Sequence, residues 1–184
     1  MLPKPKFLNK TEKLTNAEKG TLVHLCMQKL DFAKENNMQD IEEMIKELVD
    51  RKIITENEAG QINKKVIYNF AQSNIAKEIS KAKIICKEAP FYINIPAKQI
   101  YKTETEEKIL VQGIIDLYFE TQDGKLILLD YKTDRVENAE QLKQKYTIQL
   151  ELYKRALEYA TNKQVHETYI YSTCLNKTIK IDQK

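Results

Sequence analysis

One stretch limits the folds open to this chain more than any other. An apolar run, Ile109-Leu110-Val111-Gln112-Gly113-Ile114-Ile115-Asp116-Leu117-Tyr118-Phe119, leads into Gln122-Asp123-Gly124. A second apolar run follows, Lys125-Leu126-Ile127-Leu128-Leu129-Asp130-Tyr131-Lys132. Asp-Gly between two apolar runs is a hairpin signal, because glycine supplies the positive φ that a tight turn needs. A three-residue loop with Gly124 left-handed pairs Thr121 with Lys125 and carries Asp116 opposite Asp130. A two-residue Asp-Gly loop would place Asp116 opposite Tyr131 instead. Side chains alternate along a strand, so Asp130 and Lys132 share a face with Leu126 and Leu128. The three-residue loop adds Asp116 to that face.

Each run therefore carries one carboxylate into an apolar setting, and the second adds a lysine at strand spacing. Burying such groups costs free energy unless a cation or a hydrogen bond meets them. Two converging carboxylates repel, and a hard dication such as Mg²⁺ with oxygen ligands relieves that repulsion. A lysine beside such a site suits a phosphate, which makes a metal-dependent nuclease the expectation. The competing reading is an Asp–Lys ion pair inside a sheet.

Composition bounds the rest. The chain has 184 residues, 42% hydrophobic and 31% charged, which suits one globular domain with a real core. With 4 Gly and 4 Pro it is a poor match for a turn-rich sandwich. The net charge of +3 is too small to prove a nucleic-acid partner. Lys4, Lys6, Lys10, Lys13 and Lys19 are candidates for phosphate contact or for a solvated linker. No apolar run approaches the ~20 residues needed to span a bilayer, so no membrane partner is expected. No signal peptide follows Pro3-Lys4-Pro5-Lys6. Cys26, Cys86 and Cys174 are far apart and odd in number, which fits free thiols in a reducing cytoplasm and neither zinc nor an iron–sulfur cluster. The absence of a Gly-x-x-x-x-Gly-Lys-Ser/Thr loop leaves the chain without an ATP site of its own.

Residues 1–14 read as extended. The capping box at Thr15 and Glu18 predicts a helix to about Lys34. Leu22, Val23, Leu25, Cys26, Met27, Leu30, Phe32 and Ala33 cover its apolar arc, with His24, Gln28 and Asp31 opposite. His24 then faces either a site or solvent. Further helices are expected over residues 38–52 and from Thr55 to about Lys83, with Ile62, Val66, Ile67, Phe70 and Ile75 inward. A strand follows over 84–95, bent or placed at an edge by Pro90, and then a polar loop over 98–108. After the hairpin, 138–161 reads as a long helix whose inner stripe is Leu142, Tyr146, Leu150, Tyr153, Ala156, Leu157 and Ala160. Gln149 falls within that stripe, where its amide needs partners: a ligand, the lysine, or a sheet edge. Strands over 163–174 and 178–182 close the chain. A helix between strands joins parallel neighbours, so the expected fold is α/β with a mixed sheet, flanking helices and an N-terminal helical region.

Gly113-Ile114-Ile115-Asp116, Asp130-Tyr131-Lys132-Thr133-Asp134-Arg135 and Gln149-Leu150-Glu151-Leu152-Tyr153 resemble the Gly-x-x-Asp, Asp-Tyr-Lys and Gln-x-x-x-Tyr motifs of the RecB-family PD-(D/E)XK nucleases. Gly20-Thr21-Leu22-Val23-His24 is similar to that family's leading histidine motif. Taken together over roughly residues 3–175, the set looks most like the nuclease domain of AddA-type helicase–nucleases. The resemblance implies a restriction-endonuclease-like fold and a Mg²⁺-dependent DNA exonuclease, with Mn²⁺ able to substitute, serving double-strand break repair and recombination. It implies metal ligation by His24, Asp116, Asp130 and the Tyr131 carbonyl, with Lys132 catalytic beside the two aspartates. Gln149, Tyr153, Gln28 and Thr133 would support the site or touch DNA, and Glu88 matches a family acidic position more loosely. Residues 1–184 would be one nuclease domain, 1–14 a linker from an upstream helicase region of the same polypeptide, and an AddB-type protein the partner. Two alternatives stand beside this: a stand-alone RecB-like nuclease and a non-catalytic DNA-binding domain of the same fold.

Overall fold

The computed structural model describes residues 13–99 and 104–181. Lys4, Lys6, Lys10, Asp182 and most of the expected linker lie outside the described residues. The chain forms two compact units, Met1–Ala76 and Lys77–Lys184. Among the described residues no helix is long and apolar enough to cross a membrane.

The first unit is helical. Thr15 caps α1 (Asn16–Lys29): its hydroxyl accepts from the Glu18 N–H, and Glu18 answers by accepting from the Thr15 N–H. The helix stops at Lys29, short of the Lys34 expected from its apolar pattern. Local polar groups capture the chain first. Asp31 accepts from the Ala33 N–H at 2.9 Å, and the Asn36 amide donates to the carbonyls of Asp31 and Lys34. Ala33 is consequently exposed. Asn37 and Asp40 form a second capping box that starts α2 (Met38–Asp50). The stretch after Thr55 divides into α3 (Glu56–Gln61), α4 (Lys64–Ala71) and α5 (Asn74–Ile79). Ile62 is extended at the first break, and the Ser73 hydroxyl bonds the Phe70 carbonyl at the second. Leu22, Cys26, Met27, Ile41, Ile45, Ile67 and Phe70 are buried, and Phe32 meets Phe70 edge-on at 6.2 Å.

The second unit is a mixed sheet of five strands in sequence order: β1 (Ile84–Pro96), β2 (Lys108–Glu120), β3 (Leu126–Lys132), β4 (Val165–Ser172) and β5 (Lys177–Lys180). β1–β2, β2–β3 and β4–β5 are antiparallel. β3 and β4 are parallel and joined through α6 (Ala139–Thr161), which Asn138 caps. Pro90 lies on the edge strand, where its missing N–H costs no ladder bond. β4 is shorter at both ends than the run 163–174 suggested: Asn162 is left-handed at the end of α6, and the strand gives way to the turn into β5 after Ser172.

The hairpin register is the one the three-residue loop demands. Leu117 faces Leu129 and Glu120 faces Leu126. Gly124 sits at φ 84°, and the Thr121 N–H donates to the Lys125 carbonyl. Leu126 and Leu128 join Leu142, Leu150, Ala156 and Leu157 of α6 in one core cluster. Ala160, expected inward, is exposed beyond the end of that stripe.

Candidate active site

The strand ladder stops where the carboxylates begin. β2 and β3 pair as far as Leu117 and Leu129, so the next facing positions are Asp116 and Asp130. These two do not continue the ladder. Instead the Tyr131 N–H donates to the Asp116 carboxylate at 2.8 Å. A side chain thus takes the donor that a backbone carbonyl would otherwise have served.

Beside Asp116 the other neighbour is distorted too. β1 pairs with β2 on both sides, Lys87 with Leu117 and Ala89 with Ile115, leaving Glu88 at the Asp116 level. Glu88 has φ 51°, a left-handed backbone that a glutamate adopts only under constraint. The facing of the strands changes there as well. Ala89, Phe91, Val111 and Ile115 reach the α6-side core on one side of this level, and Tyr118 reaches it on the other. Strict two-residue alternation would put Tyr118 on the opposite face from Ile115, so β2 rotates at Asp116. The register still sets Asp116 opposite Asp130, and only the regular alternation further along β2 breaks at this level.

Gly113 has a packing reason. It pairs with Phe91, and a Cβ at this position would stand 2.7 Å from the Phe91 ring. That close approach lets the ring reach Tyr153 of α6, edge-on at 5.3 Å.

On β3, Asp130 and Lys132 form a nearly dry ion pair of 2.6 Å, their side chains 4% and 12% exposed. The contact is close, but it lacks the alignment of a good hydrogen bond at Asp130 Oδ2. Lys132 Nζ also donates to Gln149 Oε1 at 2.9 Å, and Gln149 Nε2 donates to the Tyr153 hydroxyl at 3.0 Å. Of the three openings for Gln149, the structure shows the lysine. Negative charge collects around the phenols. Burial, then Asp130 and Asp116, pushes Tyr153 up to about 12. Burial, then Asp116, Glu88 and Asp130, holds Tyr131 well above its ordinary value.

The other sequence-flagged residues stand each within its own unit. His24 and Gln28 are half-buried, one turn apart on α1 of the first unit. Thr133 is half-buried just past β3. Among the described residues no group of three or more His, Cys, Asp or Glu side chains gathers as a ready cation cage. The donor set of Asp116, Asp130 and the Tyr131 carbonyl still fits Mg²⁺, which takes one or two carboxylates and keeps several waters and substrate oxygens. A strand residue's N–H and C=O point to the same side, so the Tyr131 carbonyl faces β2 beyond the end of the ladder.

Sequence reasoning passed over Tyr146 and Asp134. The Tyr146 ring centroid lies 4.2 Å from Lys132 Nζ, and its hydroxyl donates to Asp134 at 2.7 Å. The signal was present: Tyr146 precedes Gln149 by one helical turn and shares its face.

Known proteins resemble this chain over nearly all of its length. The chain matches the PD-(D/E)XK nuclease superfamily over residues 2–181. It is 42% identical over 186 aligned residues to an ATP-dependent helicase/nuclease subunit of Clostridium botulinum strain Hall, covering 98% of this chain and 14% of that protein. It is 45% identical over 177 residues to the protein of the same name from Thermoanaerobacter sp. strain X514, covering 93% of this chain and 14% of that protein. The chain thus spans about one seventh of the length of the curated relatives it matches.

Proposed function

Because this chain belongs to the PD-(D/E)XK nuclease superfamily, we propose that it is the divalent-metal-dependent nuclease domain of a helicase–nuclease. Its substrate is DNA, which it cuts as an exonuclease during double-strand break processing. Residues 1–184 act as one nuclease domain, working with an upstream helicase region and an AddB-type protein in a cytoplasmic setting. The names of the relatives support the helicase connection, and three free thiols support a reducing compartment. The observation that carries the chemistry is the end of the β2–β3 ladder, where Asp116 and Asp130 replace strand pairing beside a buried lysine.

Asp116, Asp130 and the Tyr131 carbonyl would hold Mg²⁺ or Mn²⁺, with His24 as a further ligand. When bound, such an ion polarises the phosphate and lowers the pKa of a water molecule. The chain's own residues do the rest. Lys132 positions the attacking water through Nζ and stabilises the charge that develops on the phosphate oxygens. Gln149 fixes the lysine by accepting from Nζ, and Tyr153 fixes Gln149. Tyr153 stays protonated across the working pH range, since its hydroxyl titrates only at about 12.

The test is cleavage of end-labelled DNA with Mg²⁺, Mn²⁺ or chelator, run beside calorimetric metal titration. The reading expects cleavage and metal binding in the native chain, or in a helicase–nuclease carrying it, with both lost in Asp130→Ala. Cleavage that survives chelator and Asp130→Ala alike would overturn it.

A further inference from the structure

Lys132 arrives on β3, but much of what fixes its ammonium comes from α6. Gln149 supplies one contact. The Tyr146 ring supplies another, with its centroid 4.2 Å from Nζ, within the range where a ring face attracts a cation. That ring is itself held. Its hydroxyl donates to Asp134 Oδ2 at 2.7 Å, and Lys145 Nζ donates to Asp134 Oδ1 at 2.5 Å. Asp134 lies two residues past Lys132 on the segment leaving β3. The strand end and the helix are therefore joined twice, once through the ring and once through the carboxylate. Lys145 also lies 5.1 Å from the ring centroid, and Asp134 neutralises that second cation.

We propose that Tyr146 is the positioning residue for the Lys132 ammonium, and that Asp134, gripped by Lys145, sets the plane of its ring. A lysine side chain has four flexible carbons and loses much rotamer freedom when fixed. In this structure Asp130 provides one anchor. A divalent ion on Asp130 competes for that carboxylate, which leaves Gln149 and the Tyr146 ring to hold the ammonium. The ring thus matters most in the loaded site. The inference rests on the nuclease reading for its consequence in cleavage, and on geometry alone for the placement of the lysine.

Two measurements on the full chain test it. In metal-free protein labelled with ¹³C at the lysine ε-carbons, the ring current of Tyr146 shifts the Lys132 ε-protons upfield. The signal is assigned by its absence in Lys132→Met. Tyr146→Leu returns it to the ordinary lysine position, whereas Tyr146→Phe, which keeps the ring but loses its bond to Asp134, leaves it part of the way upfield. In single-turnover cleavage with Mg²⁺, Tyr146→Leu slows the cutting step by about tenfold or more at unchanged DNA affinity, as expected for a group acting in the transition state. Tyr146→Phe, which keeps the ring without its bond to Asp134, recovers part of the rate. Asp134→Asn, a milder change, gives an intermediate shift and rate, and decides the matter if Tyr146→Leu does not fold. An unmoved Lys132 signal in Tyr146→Leu, or an unmoved signal in Asp134→Asn where the leucine variant is unfolded, overturns the proposal. So does equal cutting by Leu and Tyr in an active chain. A chain that cuts no DNA would overturn the nuclease reading, and the spectrum would still decide the placement.

Discussion

The Tyr131 N–H donates to the Asp116 carboxylate across the end of the β2–β3 ladder, at 2.8 Å. Tyr131 is 1% exposed, so its N–H has no ready access to water. One bond therefore serves two ends: it satisfies a buried donor and fixes one oxygen of a proposed metal ligand. Asp116→Asn keeps an acceptor for that donor and should fold normally while losing metal affinity. Asp116→Ala leaves the donor unmet and should cost a further ~1–3 kcal/mol of stability. Chemical denaturation of the two variants checks this; equal stability would mean the bond contributes nothing.

A second prediction concerns Gly113. The Phe91 ring atoms stand 2.7 and 2.9 Å from where a Cβ would be, and Tyr153 stands 3.5 Å away. Gly113→Ala should therefore destabilise the chain by about 1–3 kcal/mol through overpacking. The shift of Phe91 should disturb Tyr153 and, through it, Gln149 and Lys132. Gly113→Ala combined with Phe91→Leu should recover part of the loss, and denaturation midpoints of the single and double variants read the effect.

Much of this arrangement was legible in the sequence, and the failures have local causes. The Gln122-Asp123-Gly124 loop announced the hairpin but allowed two registers, and the structure takes the one that pairs Thr121 with Lys125. Helices begin where the sequence put them, at Thr15, Thr55 and Asn138, and in the structure each of these residues caps its helix through a contact within four residues. The end of α1 was overrun because Asp31 and Asn36 capture backbone groups that hydrophobic periodicity ignores. The left-handed turn at Glu88 was invisible, because it is imposed by pairing with β2 and not by anything glutamate prefers. Tyr146 was visible only as core: its ring buries like any apolar residue, and its partners come from a different element.

The hairpin tip has a pH signature. Lys125 and Thr121 hold the Asp123 carboxyl down at about 2, below its usual range. A carboxyl depressed on folding contributes stability above its unfolded value near 4, and that contribution fades as pH falls toward the folded value. The side chain is exposed, so the effect on global stability is small. An NMR titration of the Asp123 carboxyl should give a midpoint near 2. Thr121→Val and Lys125→Ala should each raise it, and a midpoint near 4 in the native chain would contradict the turn geometry.

The thiols should separate by reactivity. Burial pushes Cys26 up to about 12, and its side chain is wholly buried in the first unit. Cys174 is exposed and Cys86 is half-buried. A neutral thiol without access reacts slowly, because the thiolate is the nucleophile. Titration with a thiol reagent at pH 8 should label Cys174 first, Cys86 more slowly, and Cys26 only on unfolding. Mass spectrometry of the labelled peptides gives the order, and early labelling of Cys26 would contradict the packing of α1.

The last prediction concerns the Asp130–Lys132 pair. Both side chains are nearly dry, so removing the lysine leaves a buried carboxylate without its cation. Breaking such a pair costs about 3–5 kcal/mol when one partner is deleted. Gln149 and the Tyr146 ring lose their cation as well. Metal-free Lys132→Ala should accordingly unfold at lower denaturant than the native chain. A divalent ion on Asp130 replaces the missing positive charge, and nothing then competes with it for the carboxylate. Mg²⁺ or Mn²⁺ should therefore bind the variant at least as tightly as the native chain and recover much of the lost stability, by the ordinary coupling of ligand binding to folding. Cleavage should still fall by orders of magnitude, since the role proposed for the lysine is on the reacting phosphate and not in holding the ion. Lys132→Arg should restore charge and part of the stability without restoring cleavage, because a planar guanidinium fits the space over Tyr146 and beside Gln149 differently and cannot act as a base. Denaturation with and without metal, calorimetry and single-turnover cleavage measure the three quantities on the same proteins. Near-normal cleavage by Lys132→Ala would remove the lysine from the chemistry and leave the buried pair a purely structural one.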